Sequence, residues 1–174
     1  MNNSLTESVA QLMATHNYHD IINSCLQLVI DGKMNSIARD ELLNSKGIRR
    51  ITDMKEHTLD VILDYAEMIL EDNVLTDEKL TNLKMLKLFF GIEEGDFAKN
   101  GKFARVKNII IEQMRKLYAD NKIDKEEMLH KSALQGVFDL GYADYQNIVN
   151  VVAEQALARG ANINDLDTYI QHKK

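Results

Sequence analysis

Residues 61–97 and 109–145 read as two copies of one pattern, set 48 residues apart with no gap between the alignments. Asp72-Asn73 answers to Asp120-Asn121, Leu75 to Ile123, Glu78 to Glu126, Leu86 to Leu134, Phe90 to Phe138 and Asp96 to Asp144. Each copy runs as an apolar helix, a short acidic turn and a second apolar helix. A unit of that kind buries its hydrophobic face only against a neighbour, so the repeat predicts stacked helical hairpins. The expected fold is all-α: a single helical domain over residues 1–174, a bundle of about seven or eight helices.

The punctuation agrees with that class. There is no proline, which leaves glycine, asparagine and aspartate to end helices. Ser4 and Glu7 form a Ser-x-x-Glu capping box for a first helix carrying Leu5, Val9 and Leu12. A second helix is predicted over 18–30, with Ile21, Ile22, Cys25, Leu26 and Val29 inward and Asp31-Gly32 at its end. A short helix over 36–44 follows, and Asp53 with Glu56 is the expected capping pair of the next, whose stripe is Leu59, Ile62, Leu63, Ala66, Ile69 and Leu70. Thr76 caps its partner, in which Leu80, Leu83, Leu86 and Phe90 recur before Gly91.

Residues 93–101, with Gly95, Asn100 and Gly101, read as the longest connection and the natural place for a functional loop. The segment 102–119 is apolar round most of its circumference through Ile109, Ile110 and Ile111, which predicts a helix near the centre of the bundle. Asp124 caps the helix after it. Tyr145, Ile148, Val149, Val152 and Ala156 mark a further one, and a last helix is expected over 165–172 behind an Asn164 cap.

Composition narrows the function classes. The N-terminal Met-Asn-Asn-Ser-Leu-Thr-Glu has no basic region and no apolar core of a signal peptide, and no apolar run approaches a membrane span. Cys25 is the lone cysteine, so no internal disulfide forms and a cytoplasmic location is the default expectation. A formal charge of −6 disfavours nucleic acid and anionic membranes. Basic clusters stand at Lys46/Arg49/Arg50 and Lys99/Lys102/Arg105/Lys107, but neither is interleaved with stacking aromatics.

No residue set names a reaction. His16 and His19 with Asp20 lack a third zinc ligand, and His57 and His130 are isolated on helices. Cys25 sits on an apolar stripe and reads as core. Glycine-rich phosphate loops are absent. The acidic turns fail the calcium-loop pattern, with Lys125 at its glycine position and Lys131 at its final glutamate; capping accounts for these carboxylates. Neither a catalytic residue nor a cofactor is therefore expected.

One motif does resemble a family. Ala119-Asp120-Asn121-Lys122-Ile123-Asp124-Lys125-Glu126-Glu127, followed by Phe138-Asp139-Leu140-Gly141, is similar to the helical hairpin of the tellurite-resistance TerB-like family, and 71–92 looks like a more divergent copy. The likeness covers about half the chain, residues 59–145. It implies an all-helical fold and, as the alternative function, a stress-response domain binding a divalent cation through Asp72, Asp77, Asp120 and Asp124.

The first expectation for function rests on the acidic surface itself. Glu71, Asp72, Asp77, Glu78, Glu93, Glu94 and Asp96 gather about the two ends of one predicted helix, a docking face for a basic protein. The concrete form is a non-catalytic immunity or antitoxin protein that covers the basic active-site cleft of a cytoplasmic nuclease toxin.

Overall fold

The computed structural model describes residues 4–72 and 75–166, and over them the chain is all-α, with no strand. Residues 4–69 and 76–96 make one compact unit; residues 70–72, 75 and 97–166 make another.

The first unit opens with α1 (Leu5–Thr15), where Ser4 accepts from the Glu7 N–H and Glu7 returns the bond to the Ser4 N–H, the expected capping box. Next comes α2 (Asp20–Ile30), two residues shorter than predicted because the ring of His19 takes the cap and accepts from the Ile21 N–H. It buries Ile22, Cys25, Leu26 and Val29. Gly32 then adopts φ +71°, the left-handed turn that only glycine enters without strain, and leads to α3 (Ser36–Ser45). Helix α2 packs against both α1 and α3.

Asp53 does not cap the next helix with Glu56. Its carboxylate accepts from the Arg50 N–H and closes a 3-10 turn (Ile51–Met54), so that α4 (Lys55–Leu70) starts one turn on. The predicted stripe of α4 is buried in full, joined by Thr58, Val61 and Tyr65. Thr76 caps α5 (Asp77–Phe89) by accepting from the Lys79 N–H. The Tyr65 hydroxyl meets Asn82 of α5 and Ser8 of α1, and the Lys79 ammonium donates to the Ile69 carbonyl, so polar bonds as well as Leu83, Leu86 and Phe90 hold α5 in place.

The connection after α5 is less open than its sequence suggests. It contains a one-turn helix, α6 (Asp96–Lys99), and buries Asp96 and Phe97.

In the second unit α7 (Phe103–Leu117) packs on α8 (Lys125–Val137) and on α9 (Tyr142–Ala158). Helix α7 is two-sided where the sequence suggested a buried centre: Val106, Ile109, Ile110, Gln113, Met114 and Leu117 face in, while Lys107, Asn108, Glu112, Arg115 and Lys116 stay exposed. Asp124 and Glu127 form a reciprocal capping box for α8. Asn121, at φ +66°, supplies the left-handed residue of the acidic turn. The predicted terminal helix lies largely outside the described residues. What is described there is a 3-10 turn (Ile163–Asp165) capped by Asn162, with Asn164 inside it.

Within each unit the hairpin limits keep the spacing of 48: α4 and α7 start at Lys55 and Phe103, α5 and α8 at Asp77 and Lys125.

Candidate functional site

The first unit carries an open cleft of about 780 Å³ between α3 and the C-terminal half of α5. Its floor and one wall come from Met34 and Asn35 ahead of α3, then Ser36, Arg39, Asp40 and Asn44 along it; Met85, Leu88 and Phe89 of α5 form the other wall. Arg49, Arg50, Ile51, Thr52, Gly91 and Glu93 complete the lining.

Arg39 holds the two walls together. Its Nη1 donates to the Phe89 carbonyl at 2.5 Å, its Nε and Nη2 reach Asp40 at 2.9 and 2.8 Å, and its guanidinium lies 5.8 Å from the centre of the Phe89 ring. A cation on the last carbonyls of α5 also answers the negative end of that helix. Gly91 ends α5 at φ +62°, and it is this left-handed backbone that favours glycine, since a Cβ there would make only ordinary contact with Ile51. Its carbonyl accepts from the Lys55 ammonium at 2.5 Å.

The remaining guanidiniums are less committed. Arg50 meets Asp53 at 3.5 Å with a side chain that is largely exposed, and Arg49 is exposed and makes no ion pair among the described residues. The apolar wall is open as well: Leu88 is 80 % exposed and Met85 43 %, while Ile37 on neighbouring α3 is 71 % exposed. Scattered exposed leucines are ordinary, but Met85 and Leu88, three residues apart on α5, line one cleft together.

The acidic residues singled out by sequence fall into different situations. Asp77 and Glu78 are exposed in the first turn of α5, and Glu93 and Glu94 are exposed beyond its other end. A helix of that length separates the two groups by roughly 20 Å, so they flank the apolar wall and do not fuse into one patch. Asp96 is no part of that surface. It is buried, and its Oδ2 accepts from the Lys55 ammonium at 2.6 Å and from the Glu93 N–H at 2.8 Å, an internal ion pair that anchors the connection after α5. Glu71 and Asp72 are exposed and belong to the second unit.

Of the cation ligands the TerB-like resemblance implied, Asp124 is spent in its capping box, Asp120 accepts from the Lys122 N–H, and Asp77 stands at the start of α5. Among the described residues no group of three or more His, Cys, Asp or Glu side chains is placed to hold a metal ion.

The histidines are less solitary than their spacing suggested. His57 of α4 comes to 5.2 Å from His19, ring centre to ring centre, and His16 stacks on Tyr18, whose hydroxyl donates to Asp64 at 2.8 Å. His16 lies 3.8 Å from the same carboxylate. Cys25 is fully buried, and that burial pushes its thiol up to about 11, the opposite of what a nucleophile needs.

Leu88 and Met85 were open to discovery from sequence alone. They fall on the 81/84/85/88 side of α5, away from the inward stripe of Leu83, Leu86 and Phe90. Arg39 carried no such signal, because its partner is a carbonyl fifty residues away in the chain.

Compared with protein-family models, with curated proteins and with solved structures, the chain matches none. Among the described residues no helix is long and apolar enough to cross a membrane.

Proposed function

We propose that this chain is a non-catalytic binding protein that holds a positively charged partner protein on the exposed face of α5. One observation carries the reading: Met85 and Leu88 stand exposed along α5 between two exposed acidic pairs, Asp77 with Glu78 and Glu93 with Glu94. Apolar side chains in that position lengthen the life of a complex, and flanking charge of one sign raises its rate of formation. The hairpin itself does not require them. At the same positions of the second hairpin, 48 residues on, stand Ala133 and Gly136, with α8 formed over the same span.

The concrete form is an immunity or antitoxin protein that covers the basic cleft of a nuclease toxin. A nuclease must gather positive charge to hold phosphate, and a small protein of net charge −6 presents the complementary sign. The test is affinity purification of the tagged chain at low and high salt, with wild type beside Leu88→Asp and Asp77→Lys/Glu78→Lys. A basic partner retained by wild type, lost with Leu88→Asp and weakened at high salt supports the reading. If no specific partner is retained, the proposal fails.

A further inference from the structure

The cleft beside α5 shares Met85, Leu88 and Glu93 with the face proposed above, but its arginines give it the opposite sign from the rest of the protein, and steering of a basic partner does not use them. Its arginines come from the cluster at 46–50 and from α3, and they fall into two groups. Arg39 is occupied, with its three donating nitrogens shared between the Phe89 carbonyl and Asp40. Arg49 makes no ion pair among the described residues, and Arg50 touches Asp53 only at 3.5 Å. Since Asp40 is already neutralised by Arg39, Glu93 is the one carboxylate lining the cleft with no ion pair among the described residues. Two reachable guanidiniums thus line a cleft walled by Met85, Leu88 and Phe89.

We propose that this cleft receives a short extended segment of a partner protein in which an aspartate or glutamate adjoins a large apolar side chain. Guanidiniums at a rim pair with carboxylates in a two-pronged geometry, and exchange of water for that bond gains most beside an apolar wall. The methionines Met34 and Met85 let the wall adapt to the shape of a leucine, methionine or phenylalanine side chain. A peptide fits better than a small molecule. Small-ligand sites enclose most of their ligand, whereas here Leu88 is 80 % exposed although it lines the cleft, a surface that needs a broad cover.

The inference goes beyond the reading given above and does not depend on it. Asp77 and Glu78 act on the partner's overall charge, while Arg49 and Arg50 select one side chain. A partner of either net charge can carry such a segment.

The test is selection of a random decapeptide display library on the full chain, followed by anisotropy titration of the winning peptide. Enriched peptides are expected to carry Asp or Glu within two positions of Leu, Met, Ile or Phe. Arg49→Glu with Arg50→Glu should weaken the winner by about ten-fold or more, as should Leu88→Asp, whereas Asp77→Lys with Glu78→Lys and Lys107→Glu leave it within about two-fold. All these positions are exposed, and circular dichroism verifies that each variant stays folded; Leu88→Ala serves as a milder wall variant, expected to weaken the winner by about three-fold or more. The proposal is overturned if no peptide is enriched, if the enriched peptides are basic, or if the arginine and leucine variants bind the winner as wild type does. A labelled decauridylate that binds with the same arginine dependence and displaces the peptide also overturns it, in favour of a nucleic acid.

Discussion

The two hairpins solve the same local problems with different residues. Thr76 caps α5 and Asp124 caps α8, each accepting from the N–H three residues on. Both helices end alike: Gly91 and Asp139 take positive φ, +62° and +51°, and the next residue's N–H reaches back five residues, from Ile92 to Lys87 and from Leu140 to Gln135. Across each hairpin one buried side-chain bond joins the helices at equivalent positions, Tyr65 to Asn82 in the first and Gln113 to His130 in the second. The outer faces part company. Where α5 exposes Met85 and Leu88, α8 has Ala133 and Gly136, and its own exposed apolar residue, Leu129, stands a turn earlier at the position of Thr81. What is common to the hairpins follows from their shape; what differs is the part that shape does not explain.

The largest effect should come from the shared core. Phe90 and Phe138 occupy equivalent positions, are at most 1 % exposed, and follow the last turn of their helices. Truncation of either to alanine should cost about 3–5 kcal/mol by denaturant titration. A cost below about 1 kcal/mol for one alone would mean that the two end differently in spite of matching dihedrals.

Asp96→Asn comes next, at roughly 3 kcal/mol, because it leaves the Lys55 ammonium in a mostly buried site with its charge uncompensated. Glu94→Gln, two residues away and exposed, should leave stability within about 0.5 kcal/mol. Equal effects from the two would return Asp96 to the docking surface.

Those contrasts show what the sequence makes legible. Helix existence, the caps at Ser4, Thr76 and Asp124 and nearly all the buried stripes depend on residues within one or two turns of each other, so periodicity reveals them. The misreadings share a cause. The sequence reads Asp53 as a helix cap paired with Glu56 and Asp96 as part of an exposed docking face, but each is captured by a neighbour the pattern does not include, Asp53 by the Arg50 N–H and Asp96 by Lys55 forty-one residues away. The cleft is hidden for a related reason. Leu88 and the Arg49/Arg50 pair can each be picked out along the chain, but nothing joins them to one another or to Arg39 until all of them line one cleft.

The cross-hairpin bonds sharpen the comparison at a smaller scale. Tyr65→Phe removes the hydroxyl that Asn82 and Ser8 share, and Gln113→Leu removes the partner of His130 Nε2 and the donor to the Leu70 carbonyl. Each should cost about 1–3 kcal/mol, since a buried polar group is left without its bond. Replacing both Tyr65 and Asn82 by leucine should cost less than the sum of the two single changes, because neither is then left facing a lost partner and only the buried Ser8 hydroxyl loses its bond.

Alkaline pH probes the same interiors. Burial raises the Cys25 thiol from its ordinary 9.0 to about 11 and the Tyr65 hydroxyl from 10.0 to about 12, and it raises Tyr145 in the second unit too. All three are neutral when protonated, so the unfolded chain ionises first as pH rises, and stability present below pH 9 is lost between 9 and 12. Denaturant titrations should show a flat profile up to pH 8 and a loss on the order of 1 kcal/mol by pH 10. Cys25→Ser should flatten the start of that fall. Rising stability over the same interval would show that the thiol is not buried as a neutral group.

The smallest expected effect decides most. Leu88 keeps 80 % of its surface in solvent, so Leu88→Ala removes little burial and should change stability by less than about 0.5 kcal/mol. Leu88→Gly would make α5 match Gly136 at the equivalent position of α8, at a helix-propensity cost of about 1 kcal/mol. If Leu88→Ala instead costs 2 kcal/mol or more, as for a core leucine, the side chain is packed against something within the molecule, and the outer faces of the hairpins differ for structural reasons. If stability is unchanged while binding to a partner falls, the leucine is held at the surface for what it touches there, because a helix gains nothing by exposing it.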